Sequence, residues 1–313
     1  MTPKAARPVT ILGIFVADTA YTAARLPNVG ETLGGSSFTV GPGGKGSNQA
    51  VAAARAGADV HFISRLGDDD FGHMALKTYE QANVTTHIKF MDDVATGAAF
   101  IFINENTAEN AIIVCPGAAG TLSAEDAEAA RAIIEGAAVF VTQLEQPAAA
   151  ARRGLEIARA AGVMTILNPS PADQTDDGLL ELTDILVPNE GEAAALCGFE
   201  VDTLDRARRA GDVLMARGVG HAIITLGSRG VLVHGPGISE HIPAKATGEV
   251  VDTSGAGDAF LGSFAAAISE GYSPLQAAEF ATVAAGIAVT RRGTAAAMPT
   301  RQEIDTAGAF AGI

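Results

Sequence analysis

The second half of the chain alternates short apolar runs with segments of helical length, and this alternation constrains the fold more than any other feature. Strands joined through helices lie parallel in one sheet, and the helices cover both of its faces. The sequence therefore predicts a parallel α/β sheet. The predicted helices span 123–135, 147–161, 190–197, 203–217, 256–269 and 274–290, and the predicted strands span 138–143, 163–168, 184–187 and 221–226.

The first half of the chain predicts strands of two kinds. Val9 to Val16 is an unbroken apolar run, typical of a strand buried on both faces. A second strand is predicted at 59–64, and a helix at 70–82 follows with Asp70 as its N-cap. Strand character without an intervening helix is found in segments 32–40, 97–104 and 111–115. The last two predict a hairpin, and the three together indicate a small antiparallel sheet set apart from the parallel one.

The stretch from Val251 to Phe260 leads from a β-rich run (230–251) into an apolar helix. Gly255, Ala256 and Gly257 are small enough for the backbone to approach a ligand closely. They lie where a helix presents unpaired N–H groups and the positive end of its dipole, which favours an anion. Asp258 follows in the first turn and could accept a proton from a hydroxyl. An anion site beside a base suggests phosphoryl transfer to an alcohol; the alternative is a structural loop in which Asp258 only stabilises the helix start.

A second glycine-rich stretch contains the G-x-G-x-x-G pattern at Gly41, Gly43 and Gly46. With Asp68 downstream, it suggests a rival interpretation as a nicotinamide-dependent oxidoreductase. Against this interpretation, residues 36–40 are too polar for the buried parallel strand that should precede such a turn. Lys45 lies on the wrong side of Gly46 for a P-loop.

Polar residues follow several predicted strands at their carboxyl ends. Ligands of open parallel sheets bind beyond these ends, so such residues would line one crevice. Each one taken alone is more typical of a turn or a helix cap. They are Asp18, Glu145, Asn168, Asn189, Glu192, Thr225 and Gly227.

The formal net charge of −15 argues against nucleic acid and anionic membranes as partners. Two cysteines, Cys115 and Cys197, suggest a reduced protein, and the first eight residues lack the apolar core of a signal peptide. No apolar run reaches membrane-spanning length, and the histidines show no metal-ligand spacing. We therefore expect a cytoplasmic protein that binds phosphate groups locally, through helix N-termini, a few cations and a metal ion.

With these pieces placed, the chain resembles the ribokinase/PfkB family of carbohydrate kinases over nearly its whole length. Two specific motifs carry the resemblance: Gly43-Gly44-Lys45-Gly46-Ser47-Asn48 and Asp252-Thr253-Ser254-Gly255-Ala256-Gly257-Asp258. The supporting matches are Gln143-Leu144-Glu145, Asn168-Pro169-Ser170-Pro171, Pro188-Asn189-Glu190-Gly191-Glu192, Ile224-Thr225-Leu226-Gly227-Ser228-Arg229-Gly230 and Ala288-Val289-Thr290-Arg291-Arg292-Gly293. The resemblance implies one ribokinase-like domain (1–313), with a three-layer α/β/α arrangement, a mostly parallel central sheet and a small antiparallel β lid formed by roughly 14–42 and 96–116.

The resemblance also implies an activity and its residues. The expected reaction is transfer of the γ-phosphate of ATP to the primary (O5) hydroxyl of a pentose, first of all D-ribose. The alternatives are 2-deoxyribose, a nucleoside or another sugar. Asp258 would be the base, and Gly255, Ala256 and Gly257 would form the anion hole. The residues implied to bind the sugar are Asp18, Gly44, Lys45, Asn48, Glu145 and Asp258. Those implied to bind ATP are Asn189, Glu192, Thr225, Gly227, Ser228, Gly230, Gly257 and Thr282.

Two ions and a partner subunit follow from the same resemblance. Mg²⁺ would accompany ATP, with the Asn189-x-x-Glu192 motif linked to its placement. A monovalent cation, K⁺, would order the anion-hole loop. Its implied ligands are Asp252, Ser254, Ala288, Arg291 and Gly293. The lid would pair two subunits into a homodimer.

The chain departs from the family pattern at three positions. Val16 stands where these kinases carry an Asn that touches the sugar, and a valine cannot hydrogen-bond a hydroxyl. This departure keeps 2-deoxyribose and other modified pentoses open as substrates. Ala297 replaces a Ser that often helps at the cation site, so we expect a weaker K⁺ dependence. Thr282 stands where His or Asn often lies near adenine.

Overall fold

The larger sheet lies at the centre of the computed structural model, which describes residues 7–107, 109–245 and 247–309. Within these residues the sheet has nine strands, and only the two at one edge run antiparallel to their neighbours. In sheet order the strands are β13 (Ile238–Ile242), β12 (Val231–Gly235), β11 (His221–Thr225), β10 (Ile185–Leu186), β9 (Met164–Leu167), β8 (Val139–Thr142), β1 (Val9–Leu12), β4 (Val60–Gly67) and β5 (Val84–Met91). The mostly parallel sheet predicted from the β/α alternation is confirmed.

Helices cover both faces of this sheet, and each face has its own apolar core. The first core packs α1 (Lys45–Arg55), α2 (Asp70–Ala82), α9 (Ala256–Ser269), α10 (Pro274–Ala288) and α11 (Arg301–Gly308). The second packs α3 (Ala124–Ala129), α4 (Arg131–Gly136), α5 (Ala148–Ala160), α6 (Asp177–Glu181), α7 (Glu190–Cys197) and α8 (Leu204–Ala216). Because successive strand residues point to opposite faces, Ile11 joins the first core and Leu12 the second.

A glycine sets the distance between α1 and α9, the two helices that bear most of the candidate site. A Cβ atom at Gly262 on α9 would come within 2.4 Å of the backbone oxygen of Gln49 on α1. Only a residue without a side chain allows this approach. The close packing brings the first turns of the two helices together at the carboxyl edge of the sheet.

The smaller sheet has the order β3 (Ser37–Gly43), β2 (Val16–Ala23), β6 (Thr96–Asn104) and β7 (Asn110–Gly117). The β2–β3 and β6–β7 pairs are antiparallel, and the central β2–β6 pair is parallel. The predicted hairpin is β6–β7. Residue 108, between the two strands of this hairpin in the sequence, lies outside the described residues.

The predicted strand from Val9 to Val16 is wrong in its extent. The chain leaves the larger sheet after Leu12, and Val16 begins β2 of the smaller sheet. The break is at Gly13, where a Cβ atom would come within 2.3 Å of Gln143 Oε1 and 2.9 Å of the Gly46 Cα atom. Ile14 and Phe15, which follow Gly13 and lead into β2, are both buried, so the apolar pattern gave no sign of the change of sheet.

Several smaller boundaries also differ. The exposed strand predicted at 32–40 is β3, displaced toward the C-terminus. Edge strand β5 was not predicted, because it contains no unbroken apolar run. The N-cap of α2 is Asp69, whose Oδ1 accepts a 2.8 Å hydrogen bond from Gly72 N, and Asp70 is the first helical residue. The predicted helix at 123–135 is two helices that meet at Ala130.

Among the described residues, no helix combines the length and the apolar character needed to cross a membrane. Residues 1–6, which bear most of the prediction about a leader peptide, lie outside the described part of the chain.

Candidate active site

The carboxylate of Asp258 lies at the centre of the candidate site, in the first turn of α9. Gly255 caps this helix with a positive φ of 72°, a conformation that glycine adopts without strain. Asp258 is 8% exposed, and each of its oxygens accepts a hydrogen bond. Asn48 Nδ2 donates to Oδ2 at 3.1 Å, and Gln49 Nε2 donates to Oδ1 at 3.0 Å. The first turns of α1 and α9 are thus joined through this carboxylate.

Burial raises the pKa of Asp258 above that of an ordinary aspartate, although the Lys45 ammonium and the amides of Gln49 and Asn48 oppose this change. A carboxylate with a raised pKa accepts a proton more readily than one in water. The environment therefore makes Asp258 a stronger base while keeping it next to a cation.

Lys45 begins α1, directly after Gly44. Gly44 has a φ of 87°, and a Cβ atom there would come within 2.7 Å of the backbone oxygen of Ile14. The backbone N–H of Lys45 donates a 2.9 Å hydrogen bond to Glu145 Oε2. Burial lowers the pKa of the Lys45 amine, but the carboxylates of Asp258, Glu145 and Glu192 together raise it above its ordinary value. Lys45 therefore stays charged among these acids.

Two further carboxyl groups face the same space. Burial and the charge of Asp258 raise the pKa of Asp18 to about 6. Burial, opposed by Lys45, raises the pKa of Glu145 to about 7. The side chain of Glu145 is half-buried. The structure thus gathers the predicted sugar-binding residues around Asp258.

A narrow cleft continues from Asp258 toward the strand ends of β9, β10 and β11. Asn189 caps α7, its Oδ1 accepting from Glu192 N at 2.8 Å, and Glu192 Oε2 accepts from Asn189 N at 2.9 Å. Asn168 Nδ2 donates to the backbone oxygen of Val187 at 2.9 Å and lies 3.5 Å from Glu192 Oε2. The cleft is lined by Lys45, Asn168, Val187, Asn189, Glu192, Thr225, Gly257, Asp258 and Leu261.

Four of the residues predicted to bind ATP lie outside the set that lines this cleft. Gly227 and Ser228 form a short 3₁₀ turn after β11, and Gly230 ends it. Gly230 has a φ of 99°, and a Cβ atom there would come within 2.0 Å of the backbone oxygen of Ile242. The fold itself therefore requires glycine at this position, whether or not ATP binds there. Thr282 is buried, and its hydroxyl donates to Ala278 O within α10 at 2.7 Å.

The predicted cation-binding segments meet at Asp252. Its Oδ1 accepts from Ser254 N at 2.9 Å and its Oδ2 from Gly293 N at 2.9 Å. Partial burial raises the pKa of Asp252, but these backbone N–H groups outweigh it and the pKa falls below its ordinary value. The carbonyl of Ala288 accepts from Arg291 N at 3.0 Å. The structure thus brings the anion-hole loop and residues 288–293 together around one ionised carboxylate.

Two residues of the site were not predicted. Gln49 contacts Asp258 directly, and Gln143 contacts Gln49. A signal existed for the first, since Gln49 directly follows Asn48, the last residue of the first family motif. Gln143 was quoted only as part of a motif.

The rival dinucleotide interpretation loses its structural basis. Gly41 and Gly43 lie on β3 of the smaller sheet, and Gly46 lies within α1. The first strand of the parallel sheet, β1, precedes β2 and does not lead into this turn. Within the described part of the chain, no group of three or more His, Cys, Asp or Glu side chains is arranged to hold a metal ion.

Known proteins are similar to this chain in both sequence and fold. Residues 7–301 match the model of the pfkB family of carbohydrate kinases. A ribokinase of Haemophilus influenzae is 39% identical over 298 residues, which cover 95% of this chain and 97% of that protein. A deoxyribokinase of Salmonella typhi is 33% identical, with coverage of 95% and 97%. The structure of Arabidopsis thaliana ribokinase complexed with ribose and ATP matches with a TM-score of 0.90 at 30% identity, covering 97% of this chain and 99% of that one.

Proposed function

The chain belongs to the pfkB family of carbohydrate kinases, and we propose that it transfers the γ-phosphate of ATP to the primary (O5) hydroxyl of D-ribose. Ribose is supported by the ribokinases among its relatives. The observation that carries the proposal is the position of Asp258. Its carboxylate interacts with the carboxyl groups of Asp18 and Glu145 and lines a cleft at the N-terminus of α9.

In this proposal Asp258 takes the proton from O5 as that oxygen attacks the γ-phosphorus. The bond between the γ-phosphorus and the bridging oxygen breaks, and ADP leaves with the electron pair. The N-terminus of α9, with the positive end of its dipole and the backbone N–H groups of Gly255 and Gly257, would face the developing negative charge. The N–H of Ala256, also predicted to form the anion hole, donates a 3.3 Å hydrogen bond to Thr253 O. Catalysis of phosphoryl transfer consists mainly of positioning the reactants and stabilising the developing charge, and this arrangement would do both.

The sugar would be held by Asp18, Gly44, Lys45, Asn48 and Glu145. Asn48 supports this role because its side-chain oxygen Oδ1 is buried and has no hydrogen-bond partner among the described residues. A buried acceptor left alone costs free energy, and a sugar hydroxyl would supply the missing donor. Carboxylates such as Asp18 and Glu145 accept from vicinal hydroxyls.

Asn189, Glu192, Thr225 and Gly257 would bind the phosphates and ribose of ATP, with Gly227, Ser228, Gly230 and Thr282 closer to the base. Glu192 and Asn189 also fit Mg²⁺, which takes one or two protein oxygens together with the phosphates rather than a full protein cage. When bound, Mg²⁺ neutralises charge on the transferring phosphate. Lys45, through the cleft that it shares with Glu192, adds a fixed positive charge.

Asp252, with backbone near Ser254, Ala288, Arg291 and Gly293, fits a monovalent cation. Its low pKa keeps the carboxylate ionised, and backbone carbonyl oxygens of these segments would supply the other hard ligands. K⁺ held there would stiffen the loop that leads into α9. Ala297 is buried and offers no hydroxyl, which supports a weaker dependence on K⁺.

The smaller sheet, with residues 14–42 and 96–116, would act as a lid that excludes water during transfer. One of its faces exposes a row of large apolar side chains, which supports a homodimer formed through the lid. They are Tyr21, Phe38, Val40, Phe100 and Ile113. The free cysteines Cys115 and Cys197 support a reducing, cytoplasmic location.

A second candidate substrate is 2-deoxyribose. Val16 is 3% exposed and packs in an apolar cluster with Ile14, Ala99 and Ala119 at the start of β2, two residues before Asp18. An apolar wall there would favour a sugar that lacks a hydroxyl at the facing position. The deoxyribokinase among the relatives supports the same reading.

The test is ADP release by the purified protein with MgATP and D-ribose, 2-deoxyribose or nucleosides, each with and without K⁺. Product NMR identifies the phosphorylated oxygen. Ribose-dependent turnover to the 5-phosphate supports the main proposal, and turnover with 2-deoxyribose at higher kcat/KM supports the second. Absence of turnover with every acceptor contradicts both.

A further inference from the structure

Two buried glutamines are connected to Asp258 through a chain of side-chain amides. Gln143 Nε2 donates to Gln49 Oε1 at 2.5 Å, and Gln49 Nε2 donates to Asp258 Oδ1 at 3.0 Å. Both glutamines are fully buried. Gln143 follows β8 and Gln49 lies in α1, so the chain joins the central sheet to the carboxylate through a helix on its face.

The direction of this chain is set by the charge at its end. An ionised carboxylate can only accept, so Gln49 must present its amide N–H₂ to Asp258. Its oxygen then faces Gln143, which must present its own N–H₂ in turn. If either amide turned over, two acceptors or two donors would face each other in a dry environment.

The far end of the chain is accommodated by two glycines. Gln143 Oε1 has no hydrogen-bond partner among the described residues. A Cβ atom would come within 2.3 Å of this oxygen from Gly13 and within 2.8 Å from Gly46. The glutamine side chain thus occupies space that any other residue at these two positions would take away.

An apolar side chain would fill the same space without the cost of burying an amide. A buried polar chain of this kind is stabilising only while all of its links are made. The two glutamines therefore need a reason beyond packing, and the carboxylate at the end of the chain supplies it.

We propose that Gln49 and Gln143 are positioning residues for Asp258. Gln49 holds Oδ1, so that Oδ2, on the side of Asn48, faces the sugar hydroxyl, and Gln143 fixes the orientation of Gln49. This inference rests on the proposed kinase function for its catalytic meaning. The hydrogen-bond chain itself can be tested without any turnover.

The first test is the titration of Asp258 followed by NMR in protein labelled at the aspartate carboxyl carbons, with the signal assigned by its loss in Asp258→Asn. Wild type is compared with Gln49→Met, which keeps the length and removes the donor. We expect the titration midpoint to rise by about one pH unit, because a donor to the charged form has been lost. An unmoved midpoint would overturn the proposal.

The matched control is Gln146→Met. Gln146 is also a buried glutamine, but its Nε2 donates to Thr142 Oγ1 and to Gln143 O and touches neither Asp258 nor the Gln49 side chain. Gln146→Met should lower Tm, because a buried amide loses its hydrogen bonds, and it should leave the titration midpoint of Asp258 unchanged. An equal shift in both variants would mean that general loosening is the cause, and the proposal would fail.

Kinetics provide the second test, once wild type has shown sugar-dependent turnover. Gln49→Met should move the acidic limb of the kcat–pH profile upward and lower kcat, with KM for the sugar little changed. Gln143→Met should act in the same direction, and the double variant should lose no more than Gln49→Met alone, because both act on one chain. If the losses in kcat of the two single variants added up in the double variant, the proposal of one hydrogen-bond chain would be contradicted.

Should Gln49→Met fail to fold, Gln49→Glu keeps the volume and the hydrogen bond from Gln143. It places a carboxylate beside Asp258, and the midpoint should rise further; an unchanged midpoint overturns the proposal. A wild type without turnover would count against the proposed function alone, since the NMR titration would still decide the role of the glutamines.

Discussion

Gly43 lies directly against the carboxyl group of Asp18: a Cβ atom at residue 43 would come within 2.2 Å of Asp18 Oδ1. The two residues belong to neighbouring strands of the smaller sheet, β3 and β2. The glycine in the family motif thus keeps space for an acid that we propose binds the sugar.

We predict that Gly43→Ala lowers kcat/KM for the sugar by about tenfold to a hundredfold, because Asp18 must move out of position. KM for ATP should change little. Gly41→Ala, on the same strand, is the control, since a Cβ atom there meets nothing within 4 Å. Steady-state kinetics with each substrate varied would check this, and equal effects of the two substitutions would contradict it.

Glu145 predicts a pH dependence of stability in the ligand-free protein. Its pKa of about 7 in the folded state lies above the ordinary value of 4.5, so between these two pH values the folded state holds a proton that the unfolded state has released. The resulting stability is fully present below pH 4.5 and is lost as the pH rises through about 7. Between pH 6 and 8 the loss is at most about 1.4 kcal/mol, or a few degrees in Tm.

Glu145→Gln should remove this component, so that its Tm falls less than that of wild type between pH 6 and 8. Thermal unfolding without ligands measures the difference. The exposed Glu200→Gln serves as the control and should follow wild type. A variant Glu145→Gln with the full wild-type pH dependence would contradict the assignment.

The layers of the fold could be predicted because they follow from local periodicity. The bounds of α2 and α7 agree with the predicted 70–82 and 190–197, and the strands between helices lie in one parallel sheet as expected. The change of sheet at Gly13 could not be predicted, since apolar residues continue through it and only the contact with Gly46 and Gln143 explains it.

The residues of the candidate site that lie at predicted strand ends or within motifs could be predicted from the sequence. Glu145, Asn189 and Thr225 were identified because parallel strands end at one edge. Asp18 was expected at such an end but lies within β2 of the smaller sheet. Gln49 and Gln143 were missed, because the meaning of a buried amide depends on its partner. Here the partner of Gln49 lies 209 residues away and is brought close by the packing of α1 on α9.

Asp252 predicts a response to monovalent cations. We expect K⁺ to raise kcat in wild type, and Asp252→Asn to need about tenfold more K⁺ for half-activation, because the charged ligand is lost. The measurement is kcat against KCl, with choline chloride holding the ionic strength constant. Identical K⁺ curves for the two proteins would contradict the cation site.

The apolar side chain of Val16 leads to a prediction about the preference between D-ribose and 2-deoxyribose. Val16→Asn should raise the ratio of kcat/KM for D-ribose over 2-deoxyribose by about tenfold, since a hydrogen bond to the additional hydroxyl becomes available. Val16→Ala, which remains apolar, should leave the ratio unchanged. The burial of Val16 among apolar residues means that Val16→Asn should also lower Tm. A ratio that moves equally in both variants would show that Val16 does not face the sugar.

The most direct test of the central claim is kcat of Asp258→Asn with MgATP and the preferred sugar. The substitution keeps the shape of the side chain and removes the base, so we predict a loss of about 10²- to 10⁴-fold in kcat, with the fold and ATP binding retained. Circular dichroism and nucleotide titration check the last two points. A kcat close to that of wild type in the folded variant would contradict the role of Asp258 and, with it, the proposed mechanism.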